Sequence, residues 1–294
     1  MQNKVGIYYA FWEQEWRADY LAYVHKIARL GFDTLEVAAG ALPGMTSEAR
    51  KTIAQAARDE GLDITYCIGL PAAYDLASPD AKTRKTGIAY MGTLFDCLSE
   101  MGGDLLGGII YTTWPGTMNA PLTDKSPWWN RSVESVRKYS KMAEDAGILC
   151  CMEVVNRFEQ FLLNTAQEGM RFVDEVESPN VKLLLDTFHM NIEEDFIGQS
   201  IRKAGSEYIG HFHIGETNRR VPGRGHMPWD EIMDALCAIN YQGRIVMEPF
   251  LKMGGQVGQD IKVWRDLSDD GDDAFMDAEA QYALKFMKGK LASR

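Results

Sequence analysis

Short apolar runs alternate with longer amphipathic segments along the chain. The runs are rich in β-branched and aliphatic residues, as buried strands are. Strands that alternate with helices along a chain are typical of parallel sheets. The pattern predicts eight strands, at Val5–Ala10, Thr34–Ala39, Asp63–Gly69, Asp104–Tyr111, Ile148–Val155, Val181–Thr187, Tyr208–Gly215 and Arg244–Phe250.

The segments between the strands have apolar residues at helical spacing. Glycines such as Gly31, Gly61, Gly102 and Gly147 follow several of them, and glycine is favoured just after a helix because it tolerates a positive φ. The predicted helices are Tyr20–Leu30, Ser47–Glu60, Asp80–Met101, Trp129–Ala146, Thr165–Val176, Ile197–Ala204, Trp229–Ile239 and Ala274–Lys288.

Eight βα repeats in a chain of 294 residues favour an α/β fold, a (β/α)8 TIM barrel that forms a single domain over residues 1–294. No stretch rich in proline, serine or charge marks a linker. An open doubly wound sheet is the alternative, and it would place its site at a crevice near two or three strands. Here polar candidates end at least four consecutive strands. No glycine-rich loop has the spacing of a dinucleotide- or phosphate-binding motif, so no organic cofactor is expected.

Four of the predicted strands, the fifth to the eighth, end near residues that can bind a metal. The residues are Glu153, Asp186, His213 and Glu248. In a barrel the carboxyl ends of the strands meet on one rim, and a buried carboxylate without a partner is costly. Three carboxylates with one imidazole suit Mn²⁺, Mg²⁺ or Co²⁺. Taken singly, each acid has a simpler interpretation as a helix cap or a solvent-facing residue.

Other polar residues follow the same strands. His189 lies just past the sixth strand, where loop residues contact substrate, although a loop histidine can also cap a helix. Arg219 follows the seventh strand and is expected at the mouth of the site, with a surface salt bridge as the alternative. Glu159 can accept hydrogen bonds from a polyol or can begin a helix. His211 is predicted to be a hydrogen-bonded core histidine.

Aromatic residues and two long connections belong to the same rim. Tyr8, Trp16, Trp114 and Phe250 are predicted to form apolar walls for the C–H faces of a sugar, although each alone is more often a packing residue. The connections at 112–127 and 216–228 are long for a compact domain, and such loops are usually functional.

Charge and cysteine usage exclude several classes of protein. A formal charge of −11 disfavours nucleic acid and anionic membranes as partners, because binding to phosphate depends on lysine and arginine. The five cysteines have no metal-site spacing and are interpreted as reduced core residues. The N-terminus leads directly into a strand pattern, and every long apolar stretch is interrupted by charge. These features predict a soluble, cytoplasmic protein with a small-molecule partner.

Several uninterrupted motifs run from the first strand to beyond the last: Gly6–Tyr9, Trp12–Trp16, Glu153–Glu159, Leu185–Asp195, Gly210–Glu216, Asn218–Gly223, Met247–Phe250 and Asp260–Asp266. In this order they resemble the ketose 3-epimerases, the D-tagatose and D-psicose (D-allulose) 3-epimerase family. The resemblance implies a metal-dependent TIM barrel that interconverts free ketohexoses at C3, such as D-fructose with D-allulose and D-tagatose with D-sorbose. It also implies a homodimer or homotetramer.

The resemblance assigns roles to the candidates. Glu153, Asp186, His213 and Glu248 correspond to ligands of Mn²⁺, or of Co²⁺ or Mg²⁺, and His189, Arg219 and Glu159 correspond to residues that hold the C1–C3 end of the sugar. Segments 67–71 and 107–115 differ from the family's usual residues, so the preferred ketose stays open.

The chemistry of C3 epimerisation suggests roles for two glutamates. We expect Glu153 and Glu248 to act on opposite faces of the sugar, one removing the C3 proton and the other returning it through a cis-enediolate. Three alternatives are an aldose–ketose isomerase of the xylose isomerase type, a related epimerase that prefers another sugar, and a non-catalytic sugar-binding module. An endonuclease-like barrel would need a histidine-rich trinuclear site and a basic surface, which the sequence does not show.

Overall fold

The computed structural model describes residues 1–116 and 124–294. Eight parallel strands form a closed barrel in chain order, with the first strand paired to the eighth. This architecture confirms the predicted TIM barrel and excludes the open sheet. The strands are β1 Val5–Tyr8, β2 Thr34–Ala38, β3 Asp63–Cys67, β4 Leu105–Gly108, β5 Leu149–Val154, β6 Val181–Asp186, β7 Ile209–Ile214 and β8 Ile245–Met247.

Helices cover the outside of the barrel and also occur on its rim. They are α1 Tyr20–Leu30, α2 Ser47–Asp59, α3 Ala81–Met101, α4 Ser126–Ala146, α5 Ala166–Val176, α6 Thr187–Glu193, α7 Ile197–Tyr208, α8 Trp229–Ala238, α9 Gly255–Ile261 and α10 Asp273–Ala292. Gly31, Gly102 and Gly147 take the left-handed conformation directly after α1, α3 and α4, as predicted. Among the described residues, no helix combines the length and apolar character needed to cross a membrane.

The structure departs from the predicted elements mainly at the rim. Strand β1 ends at Tyr8 and continues into a short 3₁₀ helix, Tyr9–Phe11, and β8 ends at Met247, just before Glu248. The helices α6 and α9 were not predicted, because seven residues are too few to show a helical period. Loop residues at the carboxyl ends of the strands therefore contain more regular structure than the pattern indicated.

The interior of the barrel is built in layers by alternate strand residues. Leu105, Cys151 and Leu184 pack together in a small buried cluster of their own. Glu153 and Asp186 come two residues after Cys151 and Leu184, so they share the inward face and lie one layer nearer the rim. The apolar layer supports the polar layer from below.

The cysteines follow the prediction with one exception. Cys67, Cys97, Cys150 and Cys151 are buried free thiols, whereas Cys237 is exposed. The prediction of a core residue is therefore wrong for Cys237, because it lies on the outer face of α8 rather than in a strand.

Candidate active site

The four predicted metal ligands come together at the carboxyl end of the barrel. Glu153 ends β5, Asp186 ends β6, His213 lies near the end of β7 and Glu248 directly follows β8. One donor atom from each lies within 4.8 Å of the others, and all four residues are buried. The four groups therefore form a site that can hold a metal ion.

Unpaired polar atoms in this cluster fit a cation. Asp186 Oδ2 and His213 Nδ1 are fully buried and have no hydrogen-bond partner in the structure. The other oxygen of Asp186, Oδ1, accepts a hydrogen bond from the backbone N–H of Phe188 at 2.8 Å. This bond caps the N-terminus of α6 and holds the carboxylate in place. Buried polar atoms are normally satisfied, so these two atoms lack the partner that a bound cation would supply once His213 Nδ1 has lost its proton.

Burial raises the pKa of both glutamates, with repulsion from neighbouring carboxylates adding to the effect. Burial, with the Glu248 carboxylate next in effect, raises the pKa of Glu153 well above its usual value of 4.5. Burial raises the pKa of Glu248 to about 7, although the positive charges of His213 and Arg219 oppose the shift. A carboxyl group with a pKa near the working pH can both give and take a proton.

Sequence reasoning missed Glu36, a fully buried residue in the middle of β2. Its Oε1 atom lies 2.6 Å from His213 Nε2, and its Oε2 atom lies 2.8 Å from His211 Nε2. Burial would lower the pKa of His213, but the Glu36 carboxylate raises it to about 10. His211 is a hydrogen-bonded core histidine, as expected. The only sequence signal for Glu36 was an acid inside an apolar run.

His189 is oriented by Asn156, a second residue without a predicted role. The backbone N–H of Asn156 donates to His189 Nδ1 at 3.2 Å, and the Asn156 side-chain nitrogen lies 2.7 Å from the same atom. Nδ1 is therefore the acceptor, and Nε2 carries the proton. Nε2 is 3.7 Å from Glu153 Oε1, and burial lowers the pKa of the ring, which favours the neutral form.

Arg219 is buried among the acids rather than paired at the surface. Its guanidinium lies 3.3 Å from Glu159, 3.4 Å from Glu248 and 3.6 Å from Asp186. The group also stacks over the ring of Phe188, 3.7 Å from the ring centroid. The alternative of a surface salt bridge is wrong for Arg219.

Glu159 is held as an anion at the edge of the cluster. Trp114 Nε1 donates to it at 3.0 Å and the Asn156 side chain at 3.2 Å. Burial would raise the pKa of Glu159, but His189 and Arg219 lower it below its usual value. The carboxylate is therefore a hydrogen-bond acceptor.

The acids open into a cavity of about 780 Å³. Tyr8, Trp16, Trp114 and Phe250 all line it, together with Glu153, Glu159, His189, Arg219 and Glu248. Trp16 Nε1 donates to Asp260 Oδ2 at 2.8 Å, which connects the loop after β1 to α9. The divergent segments contribute Cys67, Ile68, Gly69, Pro71, Ile109, Trp114 and Pro115 to the lining. The predicted aromatic walls and the sequence departures thus meet at one cavity.

The two long connections differ in what the structure describes. Residues 117–123 of the 112–127 connection lie outside the described residues. In the 216–228 connection, buried Glu216 accepts hydrogen bonds from Gly223 N at 2.7 Å, Met227 N at 3.1 Å and Trp229 Nε1 at 2.7 Å. This loop is held together by one carboxylate.

Comparisons with known proteins agree with the barrel fold. The family model for the xylose isomerase-like TIM barrel matches residues 24–267. A D-psicose 3-epimerase of Ruminiclostridium cellulolyticum is 51% identical over 97% of this chain and 97% of its own length. A D-psicose 3-epimerase of Agrobacterium fabrum is 47% identical over 97% of this chain and 98% of its own.

A solved structure is similar over nearly the whole chain. The D-psicose 3-epimerase of Clostridium cellulolyticum, crystallised with D-tagatose, has a TM-score of 0.95 at 51% identity and covers 98% of this chain and 99% of its own. Both the sequence and the fold support the same assignment. The chain belongs to the ketose 3-epimerase family, within the xylose isomerase-like TIM barrels.

Proposed function

We propose that this protein epimerises free ketohexoses at C3 with the help of a divalent cation, converting D-fructose and D-allulose into each other and D-tagatose and D-sorbose likewise. The observation that carries the proposal is the convergence of two buried glutamates that line the cavity, Glu153 and Glu248, with buried atoms of Asp186 and His213 that have no hydrogen-bond partner. The relative crystallised with D-tagatose supports a ketose as substrate.

The cation site comprises Glu153, Asp186, His213 and Glu248. A donor set of oxygens with one nitrogen favours Mn²⁺, with Co²⁺ or Mg²⁺ as alternatives. A cation bound there supplies Lewis-acid stabilisation of the negative charge that develops on the substrate when C3 loses its proton. His213 must offer an unprotonated nitrogen to such an ion, and Nδ1 faces the acids.

The two glutamates perform the proton transfer. Glu153 and Glu248 come from β5 and from the residue after β8, so they approach the cavity floor from different sides. One removes the C3 proton, and the other donates a proton to the opposite face of the resulting cis-enediolate. Burial raises the pKa of both side chains, to about 7 for Glu248, which favours proton uptake from the substrate.

Three neighbouring side chains position the sugar. His189 donates its Nε2 proton to the oxygen on C2, where charge develops, because Asn156 occupies Nδ1. The Arg219 guanidinium adds positive charge beside the same oxygens. Glu159 accepts a hydrogen bond from the hydroxyl on C1, since Trp114, Asn156 and Arg219 keep it ionised. Tyr8, Trp16, Trp114 and Phe250 contact the apolar faces of the ring or chain.

Product analysis tests the proposed reaction. The chelator-treated protein is incubated with D-fructose in D₂O, with and without added Mn²⁺. We expect D-allulose carrying deuterium at C3, formed only when Mn²⁺ is present. Aldohexoses as the main products would instead show isomerisation between C1 and C2, and product formation at full rate in excess chelator would refute the metal requirement. The homodimer or homotetramer stays a prediction, which light scattering can check.

A further inference from the structure

Glu36 is a buried carboxylate that has no part in the proton transfers described above. It reaches from β2 across the barrel interior to two histidines on β7. Its two oxygens are divided between them, with His213 Nε2 at 2.6 Å from Oε1 and His211 Nε2 at 2.8 Å from Oε2. All three side chains are completely buried. Neither Glu36 nor His211 is among the described residues that line the cavity, so neither contacts a sugar held there.

These contacts decide which nitrogen of His213 faces the acids. Because Nε2 is turned toward Glu36, Nδ1 points at the cluster, 3.9 Å from Glu248 Oε1 and 4.0 Å from Glu153 Oε1. A carboxylate 2.6 Å from Nε2 favours the neutral tautomer that has its proton on Nε2 and a lone pair on Nδ1. A ring free to flip would present either nitrogen.

His211 completes the arrangement from one layer deeper. It precedes His213 by two residues, so both rings lie on the inward face of β7, with their centroids 5.0 Å apart. Its bond to Oε2 occupies the second oxygen of Glu36 and directs Oε1 to His213. Without this hydrogen bond the buried carboxylate could rotate away from His213.

We propose that Glu36 and His211 are positioning residues that hold His213 in the tautomer and orientation required to bind the divalent cation. The inference rests on the metal site of the proposed function. It predicts that the pair acts on cation affinity through His213 and leaves recognition of the sugar unchanged.

Calorimetric titration of Mn²⁺ alone into chelator-treated protein tests the pair. Glu36→Gln keeps the shape of the side chain and removes its charge, and we expect Mn²⁺ affinity to fall about 10–100-fold. At saturating Mn²⁺ the variant should keep the wild-type KM for D-fructose. Glu216→Gln is the matched control, because Glu216 is equally buried and hydrogen-bonded, but its side chain binds only its own loop and the first residue of α8. It should bind Mn²⁺ like the wild type.

A double-mutant cycle separates positioning from general destabilisation. If Glu36 acts through His213, Glu36→Gln should cause no additional loss of Mn²⁺ affinity in a His213→Gln background. An equal loss in both backgrounds, or wild-type affinity in Glu36→Gln, would overturn the inference. If Glu36→Gln does not fold, His211→Gln is measured instead. Weaker Mn²⁺ binding by His211→Gln would support the inference, and unchanged Mn²⁺ binding would overturn it. If the wild-type protein binds no Mn²⁺, the metal site of the proposed function is refuted. That result is distinguishable from failure of the positioning role alone, in which the wild type binds Mn²⁺ and Glu36→Gln binds it equally well.

Discussion

At the amino end of the barrel each acid meets a base, whereas at the carboxyl end buried acids outnumber the bases that contact them. Before β8, Arg244 contacts Asp63 at 3.0 Å and Asp104 at 2.8 Å, and Lys4 contacts Asp63 at 2.8 Å. These side chains are partly exposed, and their contacts connect the starts of β1, β3, β4 and β8.

At the opposite rim, Asp186, Glu159 and Glu248 contact the guanidinium of Arg219, and buried Glu153 lies beside His189 and His213. Burying so many like charges raises the free energy of the folded protein unless a further cation joins them. Charged side chains therefore have different roles at the two ends of the barrel. Ion pairs at the amino end stabilise the closed barrel, whereas the acids at the carboxyl end that outnumber their basic partners are available to bind a cation.

The largest expected effect comes from neutralising the two unmatched glutamates. Glu153→Gln and Glu248→Gln should each lower kcat for D-fructose by about 10²–10⁴-fold, because general acid–base catalysis contributes that much. Circular dichroism should show that the fold is retained. Glu279→Gln, a buried glutamate paired with Arg224 on the outside of the barrel, serves as the control and should keep its activity. Near-native turnover in either site variant would remove the two-glutamate scheme.

A smaller effect on activity is expected from replacing a residue that orients the substrate-binding groups. Trp114→Phe removes the 3.0 Å hydrogen bond to Glu159. Hydrogen bonds to charged groups contribute about 1.5–3 kcal/mol, so KM for D-fructose should rise by about 10- to 150-fold with little change in kcat. Trp129→Phe is matched to it, since Trp129 donates a comparable bond to Glu175 between α4 and α5. If both variants raise KM equally, the role of Trp114 in orienting Glu159 is wrong.

In chelator-treated protein, the titratable groups at the two ends of the barrel should change the free energy of unfolding in opposite directions as pH rises. The folded pKa of Glu248, about 7, is above its usual 4.5, so the folded state binds more protons and stability falls as pH rises between these values. Lys4 and Arg244, working against burial, hold the pKa of Asp63 below 3.8, so its contribution is present above that pH and lost as pH falls. Unfolding free energies of Glu248→Gln and Asp63→Asn, measured across pH and compared with the wild type, should show slopes of opposite sign. Slopes of the same sign for the two variants would contradict the proposed difference between the two ends of the barrel.

The smallest effect is expected at the amino end itself. Asp63→Asn weakens two partly exposed ion pairs, which together contribute on the order of 1 kcal/mol, so the melting temperature should fall by a few degrees at neutral pH. Mn²⁺ should stabilise this variant as much as it stabilises the wild type. Loss of the Mn²⁺ effect would show that the two ends are coupled.

The sequence predicts the barrel and the four-residue cluster because both depend on short-range patterns. Strand spacing indicates eight βα units, and Glu153, Asp186, His213 and Glu248 each follow an apolar run on successive strands. Burial on a shared rim follows from the fold alone. The aromatic walls were predicted for the same reason, since the loops that carry them begin at that rim.

The sequence does not predict contacts between distant strands. Glu36 is 175 residues from His211, and nothing in the apolar run of β2 shows which side chain lies opposite. Asn156 belongs to a motif that was identified, but its role depends on the 2.7 Å approach of His189, which lies in α6 after the next strand. The short rim helix α6 is capped by Asp186, the alternative role that the sequence left open for this residue, but seven residues were too few to predict the helix itself.

Anomalous diffraction from crystals grown with Mn²⁺ and D-fructose tests the central claim most directly. The unmatched acids should bind one manganese ion among Glu153, Asp186, His213 and Glu248, with the sugar's C2 and C3 oxygens beside it and the two glutamates on either side of C3. An anomalous peak elsewhere, or a sugar whose C3 atom lies out of reach of both glutamates, would contradict the account.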